Sequence, residues 1–437
     1  MSEAIEQSNR NEDDNVVRLG PRSIAIPEEW DAVPFEEAIE LNPRYDKPDN
    51  GPFNYLPMDA VDEDKQTIEY WTEREKDDCT TTWFKNGDTV YAKITPCTEN
   101  GKIAFINGLE TEVGSGSTEF LVFHPRKGVT DEQFVYYLSN LPEFRSVTIS
   151  LMEGSTGRQR VPSDVFKGGL QIPLPSLPEQ RRIADILSTV DERIQQTDVI
   201  IEKTNELLSG VQKDLFTTGY SDDREVGTRR LIEAPLDWDI APLSEFTTDS
   251  AYGPRFSSDE YDENGALATL RTTDLNDDGG INHETMPLAD LDPSDFEDHL
   301  LKKGDFIISR TGAYCGICTI WDDYEIPTVP GAYMIRFRLD DGLNPLFLRE
   351  YVNSSVGSKK VDVLARGSSQ KNLAGSDLLS MPIPVPSRTE QDRIVEVIQA
   401  VKKRIQNERE YKQKLQDLKR GLMQDLLTGK VRVNTDN

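Results

Sequence analysis

The 437 residues suffice for about two to four domains, and no apolar stretch approaches the roughly 18–20 residues of a membrane helix. Asp and Glu number 78 against 49 Lys and Arg, a net charge of -29, while 36% hydrophobic residues and a mean hydropathy of -0.57 fit a soluble protein. Such a charge speaks against nucleic-acid binding, four cysteines are too few for a disulfide framework, and three histidines (His124, His283, His299) leave little for a metal site; a reducing cytoplasm is expected.

In chain order, residues 1–20 read as a disordered acidic tail without a signal-peptide pattern. Residues 21–168 form a first globular part rich in β signals. Thr89-Val-Tyr-Ala-Lys-Ile-Thr95 and Phe120-Leu-Val-Phe123 are short β-branched or aromatic runs, and Lys85-Asn-Gly-Asp88 is turn chemistry. A short helix fits 131–147. Residues 169–220 are a helical region in which Leu187, Ile194, Ile201, Leu208 and Leu215 recur every seven residues, with Ile183, Val190, Thr197, Thr204 and Val211 on the companion seam. About 37 helical residues would span roughly 55 Å. Residues 221–378 form a second globular part with Phe306-Ile-Ile-Ser309 as a strand and a short helix over 345–356. Residues 379–437 close the chain with another long helix. Ile394, Ile398, Val401 and Ile405 keep its seam; Glu408, Lys412 and Lys419 break the heptad, and Leu415, Leu418, Leu422 and Leu426 continue in a shifted phase. The fold class is α+β, two globular parts each followed by a long helix. The helices pair as a coiled coil or, alternatively, each packs only on its own domain.

The chain repeats itself. Ile172-Pro-Leu-Pro-Ser176 returns as Ile383-Pro-Val-Pro-Ser387, and Glu179-Gln180 as Glu390-Gln391; residues 172–217 and 383–428 share 18 identities in 46 positions. Pro27-Glu-Glu-Trp30 matches Pro235-Leu-Asp-Trp238, Lys85–Asp88 matches Lys302-Lys-Gly-Asp305, and Gly154–Arg160 faces Gly367–Leu373.

No phosphate-binding glycine loop is present. Asn42-Pro-Arg-Tyr45 and Asn344-Pro-Leu-Phe347 lack the second proline of a base-methylating loop and read as turns. Cys315-Gly-Ile-Cys318 has no second cysteine pair and reads as a packed hairpin, and His124 has no nucleophile partner. No catalytic or metal-ligating residue is assigned.

Two globular units, each ending in Ile-Pro-x-Pro, Glu-Gln and a long helix, resemble the specificity subunit of type I restriction–modification systems. The resemblance rests on Pro27–Trp30, Gly87-Asp88, Gly154–Val161, Ile172–Gln180 and Ala184–Gly219, and on their second-copy counterparts Pro235–Trp238, Gly304-Asp305, Gly367–Leu373, Ile383–Gln391 and Val395–Gly429. It implies two target-recognition domains on an antiparallel helical scaffold with pseudo-two-fold symmetry. It also implies a noncatalytic reader of double-stranded DNA with a bipartite target, two modification (methyltransferase) subunits, and restriction (translocase-nuclease) subunits. S-adenosylmethionine, ATP and Mg²⁺ would then belong to the partners.

The charge map refines this expectation. Residues 1–165 carry a net -16 and 221–378 a net -15, while 166–220 carry -2 and 379–437 carry +4. Within the acidic parts, Arg158, Gln159 and Arg160 lie in an acid-free segment, and Lys359, Lys360, Arg366, Gln370, Lys371 and Asn372 in the matching stretch of the second copy. These residues have donors for base edges or phosphates, or else are solvated loop residues. Arg44, Lys47 and Lys93, with Arg255, Arg271 and Arg310, are further DNA-contact candidates; Lys102 flanks the same strand-turn as Lys93, and Tyr314 reads as core. The acidic excess points to a halophilic cytoplasm. Two rival readings are a coiled-coil adaptor without DNA specificity and a restriction–methylation enzyme with its own active site, the latter opposed by the missing motifs.

Overall fold

A computed structural model describes residues 16–434 except 20, 21, 48, 50, 169, 222, 277, 278 and 366–370. The described residues fall into two compact units, one running up to Thr197 and including the segment from Tyr411 onward, the other Asp198–Glu410. Each long helix therefore contributes one part to each unit, an organisation that domain boundaries drawn along the sequence do not capture.

The first unit holds an antiparallel sheet in the order Ile39–Leu41, Phe120–Pro125, Thr89–Ala92, Ile103–Phe105. A second sheet is ordered Thr72–Glu75, Pro52–Leu56, Gly114–Gly116, Thr82–Phe84, its middle pair parallel. The helices Glu132–Ser139 and Pro142–Ser150 replace the single helix expected there; Pro142 occupies the first turn, where its missing N–H costs nothing. The second unit has the same plan. One sheet is ordered Thr247–Tyr252, Met334–Leu339, Phe306–Ser309, Cys318–Ile320; the other is ordered Leu288–Ala289, Leu267–Leu270, Thr328–Pro330, again with one parallel pair. Gly87 and Gly304 sit at matching turns with φ of 93° and 88°, backbone that a β-carbon would strain.

The Ile-Pro-x-Pro segments are strands. Gln171–Leu174 pairs with Asp31–Pro34, and Pro382–Val385 with Asp239–Pro242. Two-stranded ribbons tolerate proline because its missing donor can face outward. Each ribbon joins the segment after Pro-x-x-Trp to the segment before the long helix, which is why these two motifs recur together.

The long helices are Leu177–Thr217 and Arg388–Leu427, 41 and 40 residues, slightly longer than expected. On the first, Leu187, Val190, Thr197, Thr204 and Leu215 are buried and Ile194, Ile201, Leu208 and Val211 half-buried, as the heptad requires. Within the first unit, Asp191 meets Lys419 on the second helix at 2.7 Å, and Glu179 meets Arg432, just past that helix's end, at 2.7 Å, so partner numbers fall as positions along the first helix rise. Within the second unit, Glu390 meets Arg224, while Gln212 and Lys402 both reach Glu350. The helix parts are antiparallel in each.

Two expectations require correction. The tail does not extend to residue 20: Val16–Leu19 pairs with Arg22–Ala25, and Val17 is buried in the first core. Nor does the second helix change phase. Ile394, Ile398, Ile405, Leu415, Met423 and Leu426 are buried, and Val401, Glu408, Lys412, Lys419 and Leu422 are half-buried between them at three- and four-residue steps; Leu418 is 51% exposed. Polar residues occupy the seam without displacing it, because the backbone period rather than residue type fixes which side chains face inward.

Candidate nucleic-acid interface

The duplicated motifs build the same frame in each unit. In the first unit, the buried Trp30 indole donates to Glu179 at 3.1 Å, and Arg432 donates to the same carboxylate through Nε and Nη2 at 2.7 and 2.9 Å. In the second unit, Trp238 donates to Glu390 at 3.2 Å and Arg224 donates to it at 2.7 and 2.9 Å. Gln180 accepts from the Asp131 backbone N–H and donates to the Val129 and Pro175 carbonyls; Gln391 accepts from Asn344 and donates to Gly342 and Pro386. Asp131 and Asn344 in turn cap the short helices that follow. The Asn-Pro-Leu-Phe segment is thus a helix start rather than a turn, and Asn42-Pro-Arg-Tyr45 a bend leading into a loop, in which Asn42 exchanges bonds with Val122. Glu-Gln is a buried clamp, since buried carboxylates and amides persist only when fully paired.

In both units, strand ends and a loop also meet in the same way. The Lys93 N–H donates to the Glu119 carbonyl, and the Lys93 carbonyl accepts from Val161. The Arg310 N–H donates to the Tyr333 carbonyl, and the Arg310 carbonyl accepts from Leu373. Val161 therefore corresponds to Leu373 and Arg160 to Asn372, one residue off the ungapped register of the sequence comparison; Arg160 and Asn372 also form matching bridges, to Ile94 and Thr311. In the first unit, Arg160 forks onto Glu119 at 2.7–3.2 Å, and the Gln159 backbone carbonyl accepts from the Thr95 N–H. In the second, the Arg310 guanidinium lies 4.8 Å from the Tyr252 ring and donates to Asn372 at 3.3 Å. Beside it a cleft of about 620 Å³ is lined by Arg255, Phe256, Tyr261, Arg271, Thr272 and Tyr333 among others.

Arg271 is pinned by Asp274, at 2.8 and 3.2 Å, and by the Thr285 carbonyl, so its head is held at the cleft wall. The Asp274 hydrogen bond, its largest influence, raises its already high pKa and keeps it charged. Tyr333 is 60% exposed. An exposed aromatic among oriented guanidinium groups can stack on or read bases, as a uniformly acidic surface cannot.

The sequence profile of the family described as type I restriction modification DNA specificity domain matches residues 27–206 and 235–417. The chain belongs to that family. It is a DNA-specificity subunit of a type I restriction–modification system. Among its relatives is the type I restriction enzyme MjaVIII specificity subunit of Methanocaldococcus jannaschii, 28% identical over 326 residues, covering 74% of this chain and 75% of that one. The EcoEI specificity subunit of Escherichia coli is 23% identical over 468 residues, covering 86% and 78%. A chain in a solved structure of a type I restriction–modification system, described for its complex assembly and conformational transition, shares the fold with a TM-score of 0.60 at 19% identity, covering 93% of this chain and 99% of that one.

Within this specificity subunit the remaining basic candidates scatter. Arg44 and Arg158 are exposed, and Arg44 and Arg255 both follow a Pro after the edge strand of their sheet. Lys47 covers the Trp83 ring, 4.7 Å from its centre. Lys371 pairs with Asp362, Lys360 donates to the Leu231 carbonyl, and Lys359 is exposed on the helix Ser358–Leu364. Lys102 donates to the Met58 carbonyl, Tyr314 is half-buried, and Cys318 is buried with its thiol pushed up by burial. Arg366 and Gln370 lie outside the described residues. Sequence reasoning passed over Tyr261, Phe256 and Tyr333 at the cleft, Tyr252 against Arg310, and Glu119 in the first unit. The signal available for Tyr333 was its place just after Pro330-Gly331, a turn that leaves a large ring outside a strand.

Proposed function

We propose that each unit of this specificity subunit recognises one half of a bipartite double-stranded DNA target. The carrying observation is that both units present basic side chains at the same junction of strand ends, on the same Trp–Glu–Arg and Gln frame, while the side chains at that junction differ. A shared frame with different contact residues supports two different half-sites. The long helices pair as a coiled coil and act as a ruler for a fixed nonspecific gap, as dimer geometry sets half-site spacing elsewhere. They also carry the docking surfaces for two modification subunits and, through them, restriction subunits, to which S-adenosylmethionine, ATP and Mg²⁺ belong. The setting is a cytoplasm of high salt, where phosphate attraction weakens and base-edge and shape contacts carry more of the binding.

Methylome mapping with and without this chain tests the reading. Its removal should abolish methylation at one bipartite motif, and exchanging residues 221–378 for another such domain should change one half only. An unchanged methylome in an active system, or a change in both halves after the exchange, overturns it.

A further inference from the structure

Arg160 stands at the end of a tight hairpin. Its backbone N–H and carbonyl exchange bonds with Glu153, both 2.8 Å, and Gly154 turns the chain at φ 127°, where a β-carbon would lie 2.8 Å from the Arg158 carbonyl. The loop fixes where the guanidinium starts, and Glu119 fixes where it points. Nε donates to both Glu119 oxygens, at 3.2 and 3.0 Å, and Nη2 donates to Oε1 at 2.7 Å. These bonds consume one edge of the planar five-donor head. The Nη1–Nη2 end, two parallel N–H groups, has no further partner among the described residues, and the side chain remains 47% exposed.

Two parallel donors fit two adjacent acceptors. In the major groove guanine offers O6 and N7 side by side, whereas adenine shows one acceptor and a donor, thymine one acceptor and a methyl, and cytosine a donor. Phosphate also accepts such a fork, but Glu119 places a negative charge within 3 Å of the same head. It cancels the long-range attraction to phosphate and would lie close to the phosphate charge, while leaving the directional N–H groups intact for a neutral base edge. In the second unit Asn372 and Tyr333 hold the equivalent positions, so any reading done here differs between the two halves.

We infer that Arg160, aimed by Glu119, reads a guanine in the half of the target bound by the first unit, with Glu119 a positioning residue. This rests on the reading of the chain as a DNA-specificity subunit. The test maps the methylated motif in cells carrying the full system with the wild-type chain, Arg160→Lys or Glu119→Gln. Lysine keeps the charge but loses the fork. The expected result is tolerance of other bases at a single guanine, with discrimination there falling roughly 10- to 100-fold and the other half unchanged. Glu119→Gln, which keeps an acceptor for Arg160, should loosen the same base to a smaller degree, and it supplies the readout if the lysine variant does not fold. Unchanged guanine preference in the folded variants overturns the inference, as does methylation lost evenly at all sites with a shallower salt dependence, the mark of a phosphate clamp. A wild-type chain that yields no methylated motif in an active system instead fails the DNA-specificity reading itself.

Discussion

Asp88 is fully buried at the end of its turn, where it accepts from the Lys85 N–H at 2.7 Å, from Tyr45 at 2.8 Å, and pairs with His124 Nδ1 at 2.6 Å. The matching Asp305 accepts from the Lys302 N–H at 2.8 Å and meets Arg338 at 3.2 Å. One copy thus answers the buried acid with a titrating ring and the other with a permanent cation. The hydrogen bond to Asp88 raises the His124 pKa above its ordinary 6.5, against the opposing effect of burial; Glu40 adds to the rise, and Lys85 subtracts. Because the folded value lies above the unfolded one, the stabilisation is fully present below about pH 6.5 and is lost as pH rises through the folded value. Unfolding free energy measured by denaturant between pH 5 and 9 should fall over that window in the wild-type chain, and His124→Gln should flatten the fall. An unaltered pH slope in the variant would remove His124 from the account. The turn around Asp88 was legible because Lys-Asn-Gly-Asp is local chemistry; its partner was not, since His124 lies 36 residues away on another strand.

At the scale of the element, the long helices show how far a repeat can be read. The first seam follows from sequence alone, because its apolar heptad is nearly continuous. The second misleads, because leucine draws attention to position 418 while the backbone turns position 419 inward. Lys419 is accommodated by Asp191, which also accepts from Tyr137 at 2.8 Å, so a charge sits on the seam without being orphaned. Leu415 is 8% exposed and Leu418 51%. Leu415→Ala should therefore cost about 2–4 kcal/mol in urea unfolding, and Leu418→Ala less than about 0.5 kcal/mol. Equal costs at the two positions would restore the shifted phase.

For the whole molecule, 78 acidic residues against 49 basic ones leave a net charge of -29. Self-repulsion among so many acids is short-ranged in concentrated salt, where the Debye length is about 3 Å at 1 M, and reaches about 10 Å at 0.1 M. Thermal unfolding should accordingly shift down by several degrees when salt is diluted across that range, the loss expected of a chain adapted to high salt. A melting temperature that does not change with salt would contradict that setting.

The sequence by itself determined the duplication, the order of the motifs, the two long helices and, through them, the family. These are carried by residues adjacent in the chain or repeated at a fixed period, where covalent geometry links pattern to structure. Only the tertiary structure decided what the motifs are for. Glu179 was readable as half of a recurrent Glu-Gln pair, but its role depends on Trp30 and on Arg432, 253 residues away. The basic candidates were likewise divided by their neighbours: Lys371 is answered by Asp362, Arg271 is pinned by Asp274, and Arg160 is turned outward by Glu119. Composition counts charges, but which donors remain free is set by partners that only folding brings within hydrogen-bond distance.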